Sequence, residues 1–102
     1  MGPYYYIACD LGAESGRVML ARLEGGRLTL EEIHRFPSAM VRVLGSLRWD
    51  VLRIYEELKT GLGKIAKRGI PARGISVDSW GVDYVLINAV HPMISPPFHY
   101  RD

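Results

Sequence analysis

The apolar run Tyr4-Tyr5-Tyr6-Ile7-Ala8-Cys9 stops at a carboxylate, Asp10, and the chain then passes Gly12 and Gly16 to reach Arg17 and a second aliphatic run. This pattern predicts a strand, a glycine-bearing turn and a second strand, with a charged group at the strand tip. The layout suits phosphate and metal chemistry. Asp10 at a strand tip can reach a hydrated divalent cation. Gly12 and Gly16, lacking Cβ, let backbone N–H groups approach phosphate oxygens. Ser15 adds a hydroxyl donor, and Arg17 a planar, permanent positive charge. The spacing is not that of a Walker loop, which needs Gly-Lys-Ser/Thr opening a helix. The plainer reading makes Asp10 a loop cap that accepts backbone N–H bonds and Arg17 a solvated edge charge.

The rest of the chain places this turn in an α/β order. Strands are expected at about Tyr4–Cys9, Arg17–Leu23 and Leu28–Phe36, with Gly25-Gly26 as a tight hairpin. Three sequential strands with short links make an antiparallel meander. Residues 37–47 carry mixed signals and are read as a connection. Trp49-Asp50 opens a helix with Asp50 as N-cap. Val51, Tyr55, Leu58, Leu62 and Ile65 are read as its apolar face, and its charged residues as a solvated one. Lys64, Lys67 and Arg68 complement the helix dipole, Gly69 is the C-terminal stop and Pro71 blocks continuation. Gly61 and Gly63 each weaken a helix by about 1 kcal/mol relative to alanine, which close packing would offset. A short strand follows over 73–78 and ends in another carboxylate, Asp78. After a turn at 79–83, a hairpin is expected from Tyr84–Ile87 and Met93–Ser95.

Size and composition narrow the classes. With 102 residues the chain is one small domain at most, and 48% hydrophobic with 24% charged residues is ordinary for a globular protein. A net charge of +2 gives no footprint for nucleic acid or a membrane surface. The lone Cys9 excludes an internal disulfide and reads as a small buried hydrophobe, which fits a reducing, cytoplasmic setting. No leader peptide is read at the N-terminus, and no apolar stretch reaches spanning length. His34, His91 and His99 lack metal-ligand spacing and are read as surface or packing residues.

The segments Asp10-Leu-Gly-Ala-Glu-Ser-Gly-Arg17, Ile33-His-Arg-Phe36, Trp49-Asp50 and Asp78-Ser-Trp-Gly-Val-Asp83 together resemble the start of the rhamnulokinases, within the FGGY carbohydrate kinases of the actin-like ATPase superfamily. The resemblance runs from about Tyr6 to Asp102. It implies a ribonuclease-H-like α/β fragment, β-β-β-α-β followed by a hairpin, with residues 1–102 forming a truncated N-terminal sugar-kinase domain. It implies ATP and Mg2+ as cofactors and L-rhamnulose as the sugar of the parent enzyme. Ala13, Glu14, Ser15, Gly16 and Arg17 would lie against the phosphates, and Asp10 would hold magnesium through water. Trp80 would wall the sugar, Gly81 would let backbone approach it, and Asp83 would accept its hydroxyls. Phosphoryl transfer needs alignment and charge neutralisation more than covalent chemistry. The family's catalytic aspartate and adenosine pocket are expected beyond Asp102, so no catalytic residue is assigned within the chain. Glu14 stands where a neutral hydroxyl residue is common and must therefore point away from the phosphates.

Two other classes are consistent with parts of the pattern. Asp10, Glu56 or Glu57, and Asp78 would make a two-metal nuclease cluster if they converged. Alternatively the chain is a protein-binding scaffold, natural or engineered, that contacts a different protein or a second copy of itself. Its turns at 38–41 and 88–93 carry Ala39, Met40, Val90, Pro92 and Met93, where polar turn chemistry is usual.

Overall fold

The computed structural model describes residues 2–38, 40–81, 83, 84, 86, 87, 89, 90 and 96–100. In chain order the elements are β1 (Tyr4–Leu11), β2 (Ser15–Glu24), β3 (Arg27–Pro37), β4 (Met40–Val43), β5 (Ser46–Trp49), α1 (Val51–Lys67) and β6 (Ala72–Asp78). The main sheet has the order β3-β2-β1-β6. β1, β2 and β3 form the expected antiparallel meander. β6 returns parallel to β1 after α1. This is the opening β-β-β-α-β order of the ribonuclease-H-like fold, with one hairpin added.

Local chemistry explains most element ends. Gly25 and Gly26 turn the β2–β3 hairpin with φ of 59° and 76°, values that favour residues without Cβ. The Asp50 carboxylate accepts the Arg53 N–H at 3.2 Å, capping one orphan donor of α1. At the other end Gly69, with φ 68°, lies just past the Arg68 cap. The added hairpin, β4–β5, falls where only a connection is expected. Gly45 (φ 82°) supplies half of its turn, but the other half is Leu44 at φ 47°, a conformation that side-chain identity does not announce. Tyr84, Leu86 and Ile87 carry no strand, while Val85 and the whole second arm of the hairpin expected there lie outside the described residues.

Strand alternation divides the sheet into two faces. On one face Cys9, Val18, Leu20 and Ile65 form a buried cluster beneath α1, and Phe36, Trp49 and Ile54 form a second. Burial pushes the Cys9 thiol above its ordinary pKa, as for a packed hydrophobe. The buried stripe of α1 is Ile54, Gly61 and Ile65 with Leu58 packed beside it, while Val51 and Tyr55 are exposed. The expected face was therefore rotated. Counting apolar side chains leaves Gly61 off the face, yet the close packing expected of it is present: a Cβ there would meet Val18 Cγ2 at 2.5 Å. Gly63 meets nothing within 4 Å.

His34 occupies the same interface. Its Nδ1 lies 2.9 Å from Lys64 Nζ and its Nε2 lies 3.4 Å from Glu57 Oε2. His99 is buried and stacked against Trp49, while His91 lies outside the described residues. Met40 and Val90 are exposed, whereas Ala39, Pro92 and Met93 lie outside the described residues. No described helix is long and apolar enough to cross a membrane.

Candidate functional site

Four charged side chains line up across the strands at one end of the sheet. Asp78 of β6 is in register with Asp10 of β1, Asp10 with Arg17 of β2, and Arg17 with Arg35 of β3. Register partners share a face, and this row lies opposite the face packed by α1. It runs carboxylate, carboxylate, guanidinium, guanidinium. Arg17 donates to Asp10 in a close ion pair, which raises the Arg17 pKa above its ordinary value. Asp10 thus pairs with a side-chain cation. Asp78 Oδ1 accepts the Ser79 N–H at 3.1 Å.

The turn between β1 and β2 is braced from the end of β3. The Gly12 N–H donates to the Ser15 carbonyl at 2.9 Å, and the Ser38 N–H donates to the Glu14 carbonyl at 2.9 Å. The Ser38 hydroxyl donates to the Gly12 carbonyl at 3.2 Å. Ala13 is half-buried and Glu14 is exposed within this turn. The two glycines have roles the sequence pattern did not show. Neither takes a positive φ among the described residues. Gly16 is buried in β2, where a Cβ would meet the Phe36 ring at 2.3, 2.6 and 2.9 Å. Its missing side chain makes room for an aromatic core. Gly12 is closed in by the Ser15 carbonyl, 2.9 Å from where its Cβ would stand.

A second cluster lies past β6. Trp80 stacks on Trp49 with centroids 4.0 Å apart, and Trp49 stacks on His99 at 4.2 Å. The Trp49 indole N–H donates to Asp83 Oδ2 at 2.9 Å. Trp49, Val51, Ser79, Trp80, Asp83, Tyr84 and Pro97 line a cavity of about 210 Å3. This is smaller than the roughly 300–1,000 Å3 of drug-sized sites. Gly81 is exposed with open space at its Cβ position, and it is not among the cavity's lining residues. The sequence offers Trp49 as the approach to a helix and as part of a resemblance motif, with no contact assigned; in the structure it is 1% exposed and anchors the cluster. Leu47 and Trp49 alternating with polar neighbours were the available sign of a strand.

The carboxylates of the nuclease reading do not converge. Glu57 faces His34 on the helix side, whereas Asp10 and Asp78 share the opposite face. No group of three or more potential metal-ligating side chains occurs among the described residues. Two oxygen-donor carboxylates at adjacent strand tips do fit a hard cation that keeps most of its water.

The comparisons agree with the motifs. No family model matches the chain. It is 46% identical over 98 residues to a rhamnulokinase of Klebsiella pneumoniae (strain 342), covering 94% of this chain and 20% of that protein. It is 43% identical over 97 residues to a rhamnulokinase of Lactiplantibacillus plantarum, covering 95% and 20%. Against a rhamnulokinase of Bacteroides thetaiotaomicron it is 41% identical over 97 residues, again covering 95% and 20%. The chain spans about a fifth of the length of the curated relatives it matches. Along nearly all of its own length, then, this chain resembles one segment of the rhamnulokinases.

Proposed function

We propose that the chain is the N-terminal segment of a sugar-kinase domain and carries the phosphate side and part of the sugar side of an ATP-dependent L-rhamnulose kinase. The single observation behind this reading is the parallel register of Asp10 with Asp78. It brings the β1–β2 turn and the 79–83 turn out of the sheet at the same end. Ligands of α/β sheets collect at the carboxyl ends of parallel strands.

In this reading Asp10 holds a hydrated magnesium ion, and Asp78 adds a second carboxylate beside it. When bound, the ion would neutralise phosphate charge. Arg17, now on Asp10, is placed to meet phosphate oxygens, with Ser15 and the backbone of Ala13, Glu14 and Gly16 alongside. Glu14, being exposed, directs its charge to solvent. Trp80 and Asp83 offer an apolar wall and a hydroxyl acceptor, the pairing that suits a monosaccharide, and Gly81 leaves the rim open. The residue that would deprotonate the sugar is not among those assigned here, so the 102-residue chain is proposed to bind without turnover.

Titration of the chain with L-rhamnulose tests the sugar side. A sugar hydroxyl that reaches Asp83 competes with the Trp49 indole N–H, so that proton's NMR signal should shift saturably, and Asp83→Asn should abolish the response. A coupled assay with ATP, magnesium and L-rhamnulose should read as background. An unmoved indole signal, or turnover by the pure chain, refutes the corresponding half of the reading.

A further inference from the structure

Arg35 lies on β3, one strand beyond Arg17 and directly in register with it. Its guanidinium makes two different engagements. Nε and Nη2 grip Glu32 Oε1 at 2.9 and 2.7 Å. Nη1 reaches across to β2 and donates to the Ser15 Oγ at 3.2 Å. The side chain is half exposed, and exposed ion pairs of this kind contribute little stability. The grip on Glu32 nevertheless fixes where Nη1 points, since a planar guanidinium held through two nitrogens has little freedom to rotate.

A hydroxyl has one hydrogen to give and two lone pairs. With one lone pair of Ser15 Oγ taken by Arg35, its own hydrogen must point elsewhere. The Glu14 and Gly12 carbonyls, both close to it in sequence, already accept hydrogen bonds from Ser38. Accepting a charge-assisted bond also polarises the hydroxyl and strengthens it as a donor.

We infer that Arg35 is a positioning residue for the anion site: held by Glu32, it sets the Ser15 hydroxyl as an outward donor to a phosphate oxygen. This rests on the phosphate reading of the β1–β2 turn and adds to it a residue on a third strand. Arg35 acts through Ser15, and that distinguishes it from a cation that merely attracts the anion.

The test is a double-mutant cycle on the 102-residue chain, with magnesium and inorganic tripolyphosphate as the probe and the Gly12 and Ser15 amide signals as the readout. Ser15→Ala should weaken binding by roughly 2- to 12-fold, the range for one hydrogen bond. Arg35→Gln should weaken it by a similar factor in the wild-type background and by little in the Ser15→Ala background. A rotamer measurement serves as a second readout without the probe: Ser15 χ1 couplings should indicate one conformer in the wild-type chain and averaging in Arg35→Gln. An equal loss from Arg35→Gln in both backgrounds means the residue acts by charge alone, and it overturns the inference while leaving the phosphate reading intact. No binding of tripolyphosphate by the wild-type chain overturns both.

Discussion

Gly61 and Gly63 sit two residues apart on one helix and should respond to alanine in opposite directions. At Gly63 the new methyl would meet nothing within 4 Å, so only helix propensity acts. That term favours alanine by about 0.8–1.0 kcal/mol. At Gly61 the methyl would stand 2.5 Å from Val18 Cγ2, 2.7 Å from Val18 Cβ and 3.2 Å from His34 Cβ. Val18 is fully buried, and a Cβ is fixed to its strand, so relief requires α1 to lift from the sheet. Overpacking of this kind costs about 1–3 kcal/mol. Subtracting the propensity gain leaves a net loss of up to about 2 kcal/mol for Gly61→Ala. A change of 1 kcal/mol moves Tm by roughly 4–8 °C in a domain of this size. Gly63→Ala should therefore melt several degrees above the parent and Gly61→Ala below it, with urea m-values unchanged. Two variants that both rise would show that α1 does not approach β2 at Gly61, and the packing argument would fail.

Gly16→Ala should be destabilising by about 1–3 kcal/mol in urea unfolding, because the methyl displaces the Phe36 ring instead of straining a turn; an unchanged midpoint would return Gly16 to a purely conformational role. Hydrogen bonding and charge from Arg35 hold the Glu32 carboxyl below the ordinary glutamate range. The stabilisation this represents is present above the unfolded-state pKa and is lost as pH falls through the folded one. Carbon-detected titration should place the Glu32 midpoint low and show it rising in Arg35→Gln, and an identical midpoint in the two chains would deny the contact.

The legible parts of this fold were those in which side-chain chemistry dictates backbone geometry. Gly25-Gly26, Asp50 and Gly69 each mark an element end for a local reason, the first within the meander and the other two at the ends of α1. The β4–β5 hairpin was not legible, because its turn puts Leu44 at φ 47°, a conformation that a leucine seldom adopts and does not announce. The phase of α1 was misread because its contact surface is centred on a residue with no side chain. At the site, Asp10 and Arg17 announce themselves by type and spacing, although their pairing depends on strand register. Trp80 and Asp83 are joined through Trp49 at separations of 31 and 34 residues, beyond the reach of any local pattern. Arg35 and Ser38 were missed because their partners lie across the sheet.

The β2–β3 register slips between Val18 and Met19, where Ile33 is the extra residue on β3. Above the slip Glu32 opposes Met19, and below it His34 opposes Val18 and Arg35 opposes Arg17. Were β3 to pair continuously with all its residues kept, Ile33 would oppose Val18, His34 would take the place beside Arg17, and Arg35 would turn beneath α1. One supernumerary residue thus resets the parity of β3 halfway along its length. It hands the histidine to the helix and the arginine to the charged row, and a register that paired every residue without the bulge would exchange their destinations.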